Sequence, residues 1–78
     1  MGKRLTKPKI RKWHSDTLKD SNRMAVRIRE IRAYARDAKG GRHSALIQVL
    51  RDMASASEEM QDTLQSLADL AAREGVDL

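Results

Sequence analysis

The chain has 78 residues, and its 16 Lys and Arg outnumber 11 Asp and Glu to give a formal net charge of +5. A chain of this length forms one domain with a thin core, and without cysteine it has neither disulfides nor thiolate zinc sites to reinforce it. Its two histidines have no Asp or Glu at ligand spacing, so we expect no metal and no cofactor. We therefore expect a homodimer, in which a second copy supplies the missing stability.

Positive charge is concentrated in the first half of the chain. Residues 1–42 hold fourteen Lys and Arg and four Asp and Glu, a net +10, whereas residues 43–78 hold two and seven, a net −5. The cationic segment after Met1 leads into no apolar run long enough for a signal peptide or a membrane span. We expect a cytoplasmic protein with a polyanionic partner and no membrane partner.

The first predicted element is a basic N-terminal arm, residues 1–14, which precedes a helical domain of residues 15–78. No acidic residue occurs before Asp16. Such runs are typical of segments that bind phosphates and displace condensed counterions, although a solubilising tail is the alternative. The candidate nucleic-acid-binding residues of the arm are Lys3, Arg4, Lys7, Lys9, Arg11 and Lys12.

The first helix includes residues 23–38, because apolar residues recur there in alternating steps of four and three. Its start stays open. Pro8 suits the first turn of a helix capped near Thr6, whereas Ser15 or Asp16 would be an alternative N-cap. We interpret Trp13 as the main core anchor, since a single Trp at helical spacing packs in a core more often than it stacks on a base. The apolar seam comprises Met24, Ile28, Ile31, Ala35 and Ala38.

Cations flank that seam. Residues 23–42 hold seven Lys and Arg against Glu30 and Asp37, so pairing along the helix cannot neutralise them. Two counter-charges are compatible with this pattern: phosphates, which suit arginine's bidentate donors, or the carboxylates of the second helix. We favour phosphates. The candidates are Arg23 and Arg27 on one flank, Arg29, Arg32, Arg36 and Lys39 on the other, and Arg42 beyond.

Gly40 and Gly41 predict the turn that follows. A glycine pair before a helix N-terminus can cradle a phosphate beside Arg42 and His43. Since the spacing matches no phosphate-binding fingerprint, we favour a simple chain reversal with Ser44 as the next N-cap.

The second helix carries a heptad seam and ends at Gly75, a C′ glycine. Ser55 and Glu58 match a capping box, so a break in mid-helix stays open. When the second helix folds back on the first, Ala35 comes near Ile47. The end of the seam extends further, and its apolar partners are either Ile10 and Trp13 or a second copy of the chain. The seam comprises Leu46, Leu50, Met53, Ser57, Met60, Leu64, Leu67 and Ala71.

These elements predict an all-α fold: an antiparallel helical hairpin that dimerises into a four-helix bundle. Its function is predicted as that of a small nucleic-acid-binding protein of regulatory or accessory type, with duplex DNA favoured over RNA because two aromatic residues are too few for a single-strand platform. The alternative is a protein-interaction module, such as an adaptor, inhibitor or scaffold subunit, on an acidic partner. No nucleophile motif is present, and so short a chain hardly encloses a pocket, so we expect neither an enzyme nor a small-molecule substrate.

Overall fold

A computed structural model of the chain describes residues 4–78, and within that range it contains two long α-helices and no strand. Helix α1 spans Lys7–Asp37 and helix α2 spans Gly40–Arg73. The helices pack side by side in opposite directions, in a body with extents of 54, 25 and 16 Å. The predicted all-α helical hairpin is confirmed.

Helix α1 begins at the earlier of the two starts that the sequence left open. Thr6 is the N-cap: its backbone is extended, and its side chain accepts a hydrogen bond of 3.4 Å from the backbone N–H of Lys9. Pro8 lies in the first turn, where a missing N–H costs nothing. The residues of the predicted basic arm from Lys7 onward therefore belong to the helix, while Lys3 lies outside the described residues.

Apart from Ala25, the buried and half-buried residues of α1 and its C-cap follow one strict repeat of four and three. Trp13 does not belong to it: its side chain is 43% exposed, so the prediction that it anchors the hairpin core is wrong. Counting back from Met24 in steps of three and four reaches His14 instead, and His14 is half-buried. The full row comprises Ile10, His14, Thr17, Ser21, Met24, Ile28, Ile31, Ala35 and Ala38.

The chain reverses at the glycine pair, as the sequence predicted, but α2 begins earlier than expected. Gly40 adopts a φ of +61°, which only glycine takes without strain, and α2 begins there with Lys39 as its N-cap. The prediction that Ser44 caps this helix is wrong, because the left-handed glycine completes the reversal before Ser44 is reached. His43 donates a hydrogen bond of 2.8 Å from Nδ1 to the Ala35 carbonyl oxygen, which ties the start of α2 to the last turns of α1.

Helix α2 runs without a break through residues 55–59 and ends as the sequence predicted. Gly75 has a φ of +68°. The backbone N–H of Val76 donates to the Ala71 oxygen at 2.7 Å, and that of Gly75 donates to the Ala72 oxygen at 3.3 Å. This Schellman pattern turns Val76 back onto the hairpin. There it packs with Ile10 and Ala71 in a buried cluster.

Burial is sparse elsewhere. Within residues 4–78 the buried apolar side chains are Ile10, Ala35, Ala71 and Val76, while the predicted heptad seam of α2 is half-buried from Leu46 to Leu67. The main buried cluster thus lies at the end of the hairpin away from the turn. Neither helix contains an apolar stretch of the length needed to cross a bilayer.

The register of the hairpin agrees with the predicted pairing. The side-chain amide of Gln61 donates a hydrogen bond of 3.0 Å to the hydroxyl of Ser21. In antiparallel helices with equal rise, this contact places Ala35 level with Ile47, as the sequence predicted.

Candidate nucleic-acid interface

The ion pairs of the hairpin leave most of its arginines without a carboxylate partner. Within residues 4–78 there are two ion pairs, Lys12 with Asp16 at 3.1 Å and Arg23 with Asp20 at 3.8 Å, and both lie within α1. None joins the two helices. The sequence left two kinds of partner open for the arginines, phosphates and the carboxylates of α2. Within the hairpin, the carboxylates of α2 are not their partners.

The carboxylates of α2 make their contacts elsewhere. Asp52 accepts a hydrogen bond of 3.0 Å from Gln48, and Asp69 accepts one of 3.0 Å from Gln65, each four residues earlier on the same helix. These residues are exposed, and they occupy heptad positions that point away from the seam. Among residues 4–78, none of the α2 carboxylates forms an ion pair with a cation of α1.

The acidic residues of α1 are all on one of its sides. Asp16, Glu30 and Asp37 occupy the same position of the heptad repeat, and Asp20 occupies the position next to it. The remaining exposed side of α1 carries cations and no acid. We call this surface the basic face. It comprises Arg11, Lys12, Lys19, Arg29, Arg32 and Arg36, all of them exposed.

Lys19 belongs to the basic face but was not among the residues predicted from the sequence. It lies one heptad after Lys12 and therefore on the same side of the helix. Because the sequence left the start of the first helix open before residue 23, it assigned Lys19 to no side of that helix. Once Thr6 is known to cap the helix, the seven-residue spacing from Lys12 to Lys19 identifies the residue.

The cations of the basic face form two groups along α1. Residues 11–19 form one group near the N-terminal end, and residues 29–36 form the other near the turn, with the uncharged Asn22 and Val26 between them. The distance along the helix from Arg11 to Arg36 is about 38 Å at 1.5 Å per residue. That length matches roughly one turn of duplex DNA, 34–36 Å.

The arginines near the turn repel one another in the isolated hairpin. Arg29 and Arg32 are three residues apart, Arg32 and Arg36 are four apart, and like charges at these spacings destabilise a helix by about 0.2–0.5 kcal/mol per pair. None forms an ion pair with a carboxylate of residues 4–78. An anion bound beside them would remove this cost.

Arg11 is the most constrained cation of the basic face. Its Nε donates a hydrogen bond of 3.2 Å to the backbone oxygen of Asp77, so the C-terminal residues hold the guanidinium against the side of the hairpin. The Arg11 side chain as a whole is exposed. A fixed guanidinium loses less conformational freedom when it binds a phosphate.

The structure does not bring all of the predicted nucleic-acid-binding residues together. Arg23 and Arg27 lie on the opposite side of α1, where they line a shallow hollow of about 250 Å³ with Asp20, Met24 and Met60. Lys9 shares that side. The remaining predicted cations are exposed at the two ends of the hairpin: Arg4 and Lys7 at one end, Lys39 and Arg42 at the turn.

The aromatic residues also lie away from the basic face. Trp13 and Tyr34 occupy the same heptad position as Arg27, and they are 43% and 67% exposed. A base stacked on either ring would therefore not place its phosphate on the basic face.

The remaining chemistry of the hairpin is limited. Among residues 4–78, no three His, Asp or Glu side chains converge as they would to hold a metal ion.

No protein-family model matches the chain, and no curated protein or solved structure is significantly similar to it, so its function is inferred from its own geometry.

Proposed function

We propose that this protein is a small dimeric nucleic-acid-binding protein whose basic face contacts the phosphates of duplex DNA. The observation that carries the proposal is the acid-free row of six exposed cations along α1, five of which have no carboxylate partner within residues 4–78. The sixth, Lys12, pairs with the exposed Asp16. Such exposed pairs are worth about 0–1 kcal/mol, so a phosphate can displace this one.

The position of the aromatic side chains favours a duplex over a single strand. Single-strand platforms combine a cationic groove with aromatic rings that stack on successive bases. In this hairpin Trp13 and Tyr34 are on the side of α1 opposite to Arg29 and Arg32. The basic face therefore offers phosphate contacts without base stacking, which is the mode expected for a duplex backbone.

The uncharged middle of the basic face favours backbone contact over base readout. Asn22 and Val26 separate the two cationic groups, and Asn22 is the one of them with a hydrogen-bonding side chain. Recognition of a sequence through the major groove needs several side chains that reach base edges. We expect binding that depends weakly on sequence and strongly on salt.

The salt dependence of binding measures the number of phosphate contacts. Six contacts give a slope of log K against log salt of about −5 on duplex DNA. The measurement is a fluorescence-anisotropy titration of a labelled 20-base-pair duplex at several salt concentrations. An absence of any binding to DNA or RNA at low salt would rule out the proposed function and would favour the alternative, an interaction module for an acidic protein.

Two matched double variants locate the contact surface. Arg29→Ala with Arg32→Ala removes two cations of the basic face, and Arg23→Ala with Arg27→Ala removes two from the opposite side of the same helix. The first pair is expected to reduce the magnitude of the slope by about 1.8, the value for two lost phosphate contacts. The second is expected to leave the slope unchanged, and equal effects of the two pairs would contradict the assignment.

A further inference from the structure

The side of the hairpin opposite to the basic face carries a group of partly exposed apolar side chains bordered by charged residues. We call it the methionine face, and its members come from both helices and occupy the heptad positions on that side of the seam. Met24 and Met60 line one hollow there. The methionine face comprises Trp13, Met24, Tyr34, Val49, Met53 and Met60.

The hairpin covers the apolar side chains of the methionine face only in part. Trp13 is 43% exposed, Tyr34 67% and Val49 42%, and the three methionines are half-buried. Two helices alone cannot cover a seam with flanks this wide, since a bundle helix needs two neighbours to do so. The methionine face therefore lacks a covering layer within the hairpin.

The charges around the methionine face indicate what covers it. On this side of the two helices, basic residues stand at positions 9, 23, 27, 42 and 73, and acidic residues stand at positions 16, 20, 30, 37, 52 and 59. The two signs nearly balance. A polyanion or a strongly acidic protein has no attraction for such a border, whereas a second copy presents the same mixture and is not repelled.

The basic face cannot serve as the dimer interface. A second copy stacked there would bring Arg29, Arg32 and Arg36 against their own equivalents, and like charges placed together disfavour an interface. The methionine face has no such conflict. The hairpin is 54 Å long and 25 Å wide, which is large enough for the about 800 Å² that each partner buries in a stable interface.

We propose that a second copy of this chain covers the methionine face, forming a four-helix bundle whose two basic faces point away from each other. Because the basic and methionine faces are on opposite sides of each hairpin, stacking two methionine faces leaves the basic faces on opposite sides of the dimer. One dimer then holds two duplexes at once. This bridging activity rests on the proposed nucleic-acid binding, whereas the dimer interface does not.

The interface is tested by two matched substitutions. Val49→Asp places a charge in the methionine face, and Ser55→Asp places the same charge on the outer surface of α2, where the serine is exposed. Sedimentation equilibrium is expected to give the mass of two chains for the unaltered protein and for Ser55→Asp. The dimer dissociation constant of Val49→Asp is expected to rise at least tenfold.

Circular dichroism of each variant checks that the hairpin is intact. If Val49→Asp loses helicity, Tyr34→Asp replaces it, since Tyr34 is 67% exposed and contributes little to the hairpin itself. A single-chain mass for the unaltered protein, or equal weakening by the Ser55 and methionine-face variants, would overturn the proposed interface.

Bridging is tested with two duplexes. A biotinylated duplex is fixed to beads, the protein is added, and capture of a second, fluorescent duplex of the same length is measured. The unaltered protein and Ser55→Asp are expected to capture the second duplex, and Val49→Asp is expected to bind the first duplex and capture at least tenfold less of the second. Binding of the dimer to the bead duplex without capture would overturn bridging, whereas no binding to the bead duplex would overturn the proposed function instead.

Discussion

At the residue scale, Gly40 determines where the hairpin turns. Its φ of +61° lies in the left-handed region, and a Cβ built there would meet no atom within 4 Å. Any substitution is therefore limited by backbone conformation and not by space. The adjacent Gly41 also has open space, but its φ is not in the left-handed region.

This pair of glycines gives a sharp stability comparison. Gly40→Ala is expected to lower the free energy of unfolding by about 1–2 kcal/mol, the cost of a left-handed L-residue. Gly41→Ala is expected to be neutral or to stabilise by up to about 1 kcal/mol, because alanine is the better helix former. Urea unfolding followed by circular dichroism measures both, and a loss of stability in the Gly41 variant equal to that in the Gly40 variant would show that the backbone explanation is incorrect.

Individual residues also show the limits of what the sequence could predict. The exposed cations of the basic face were mostly identified, because dense positive charge without local acids is visible in the sequence. Trp13 was misplaced by one position, since the apolar row of α1 becomes polar at His14, Thr17 and Ser21 and no longer marks the seam. Strict counting in steps of three and four from Met24 would have found His14.

At the element scale, the seam of α1 is polar at residues 14–21 and apolar on either side of them. Opposite it, α2 presents Leu64 and Leu67, both half-buried. Ser21 is buried and accepts its hydrogen bond from Gln61, so its hydroxyl is satisfied. Thr17 is half-buried between the two ends of this segment and offers little apolar surface to the leucines of α2.

A larger apolar side chain at position 17 is expected to stabilise the hairpin. Thr17→Leu is expected to raise the free energy of unfolding by about 1 kcal/mol, because a half-buried leucine removes more apolar surface from water than a threonine does. The control is Ser15→Leu, two residues earlier and exposed, which gains helix propensity alone. A variant at Thr17 that gained no more stability than the one at Ser15 would show that the two leucines do not face this position.

The elements themselves could be predicted from the sequence with few errors. Both helices, the Gly75 cap and the heptad seam of α2 follow from side-chain period and capping residues, which act over a few positions. The N-cap of α2 could not be found in this way. Ser44 is a good capping residue, but the chain reversal at Gly40 depends on how α1 and α2 dock, including the contact of His43 with Ala35.

At the scale of the whole molecule, the proposed dimer makes stability depend on a second copy. The hairpin buries few apolar side chains, and an interface that forms only between folded chains stabilises the folded state by mass action. The thermal unfolding midpoint is therefore expected to rise with protein concentration. Differential scanning calorimetry over a hundredfold range measures it, and Val49→Asp provides the comparison, with a midpoint expected to vary less. A concentration-independent midpoint in the unaltered protein would contradict a folded dimer.

The hairpin is also fastened at both of its ends. The hydrogen bond from His43 to Ala35 closes the turn end, and the cluster of Ile10, Ala71 and Val76 closes the other. Between these points the two helices meet through half-buried side chains and the hydrogen bond from Gln61 to Ser21. The flexible thioethers of the methionines lie in this middle section, where they can repack without loss of helix. In the proposed dimer, the methionines can therefore fit their shape to the second copy while both ends of the hairpin keep their connections.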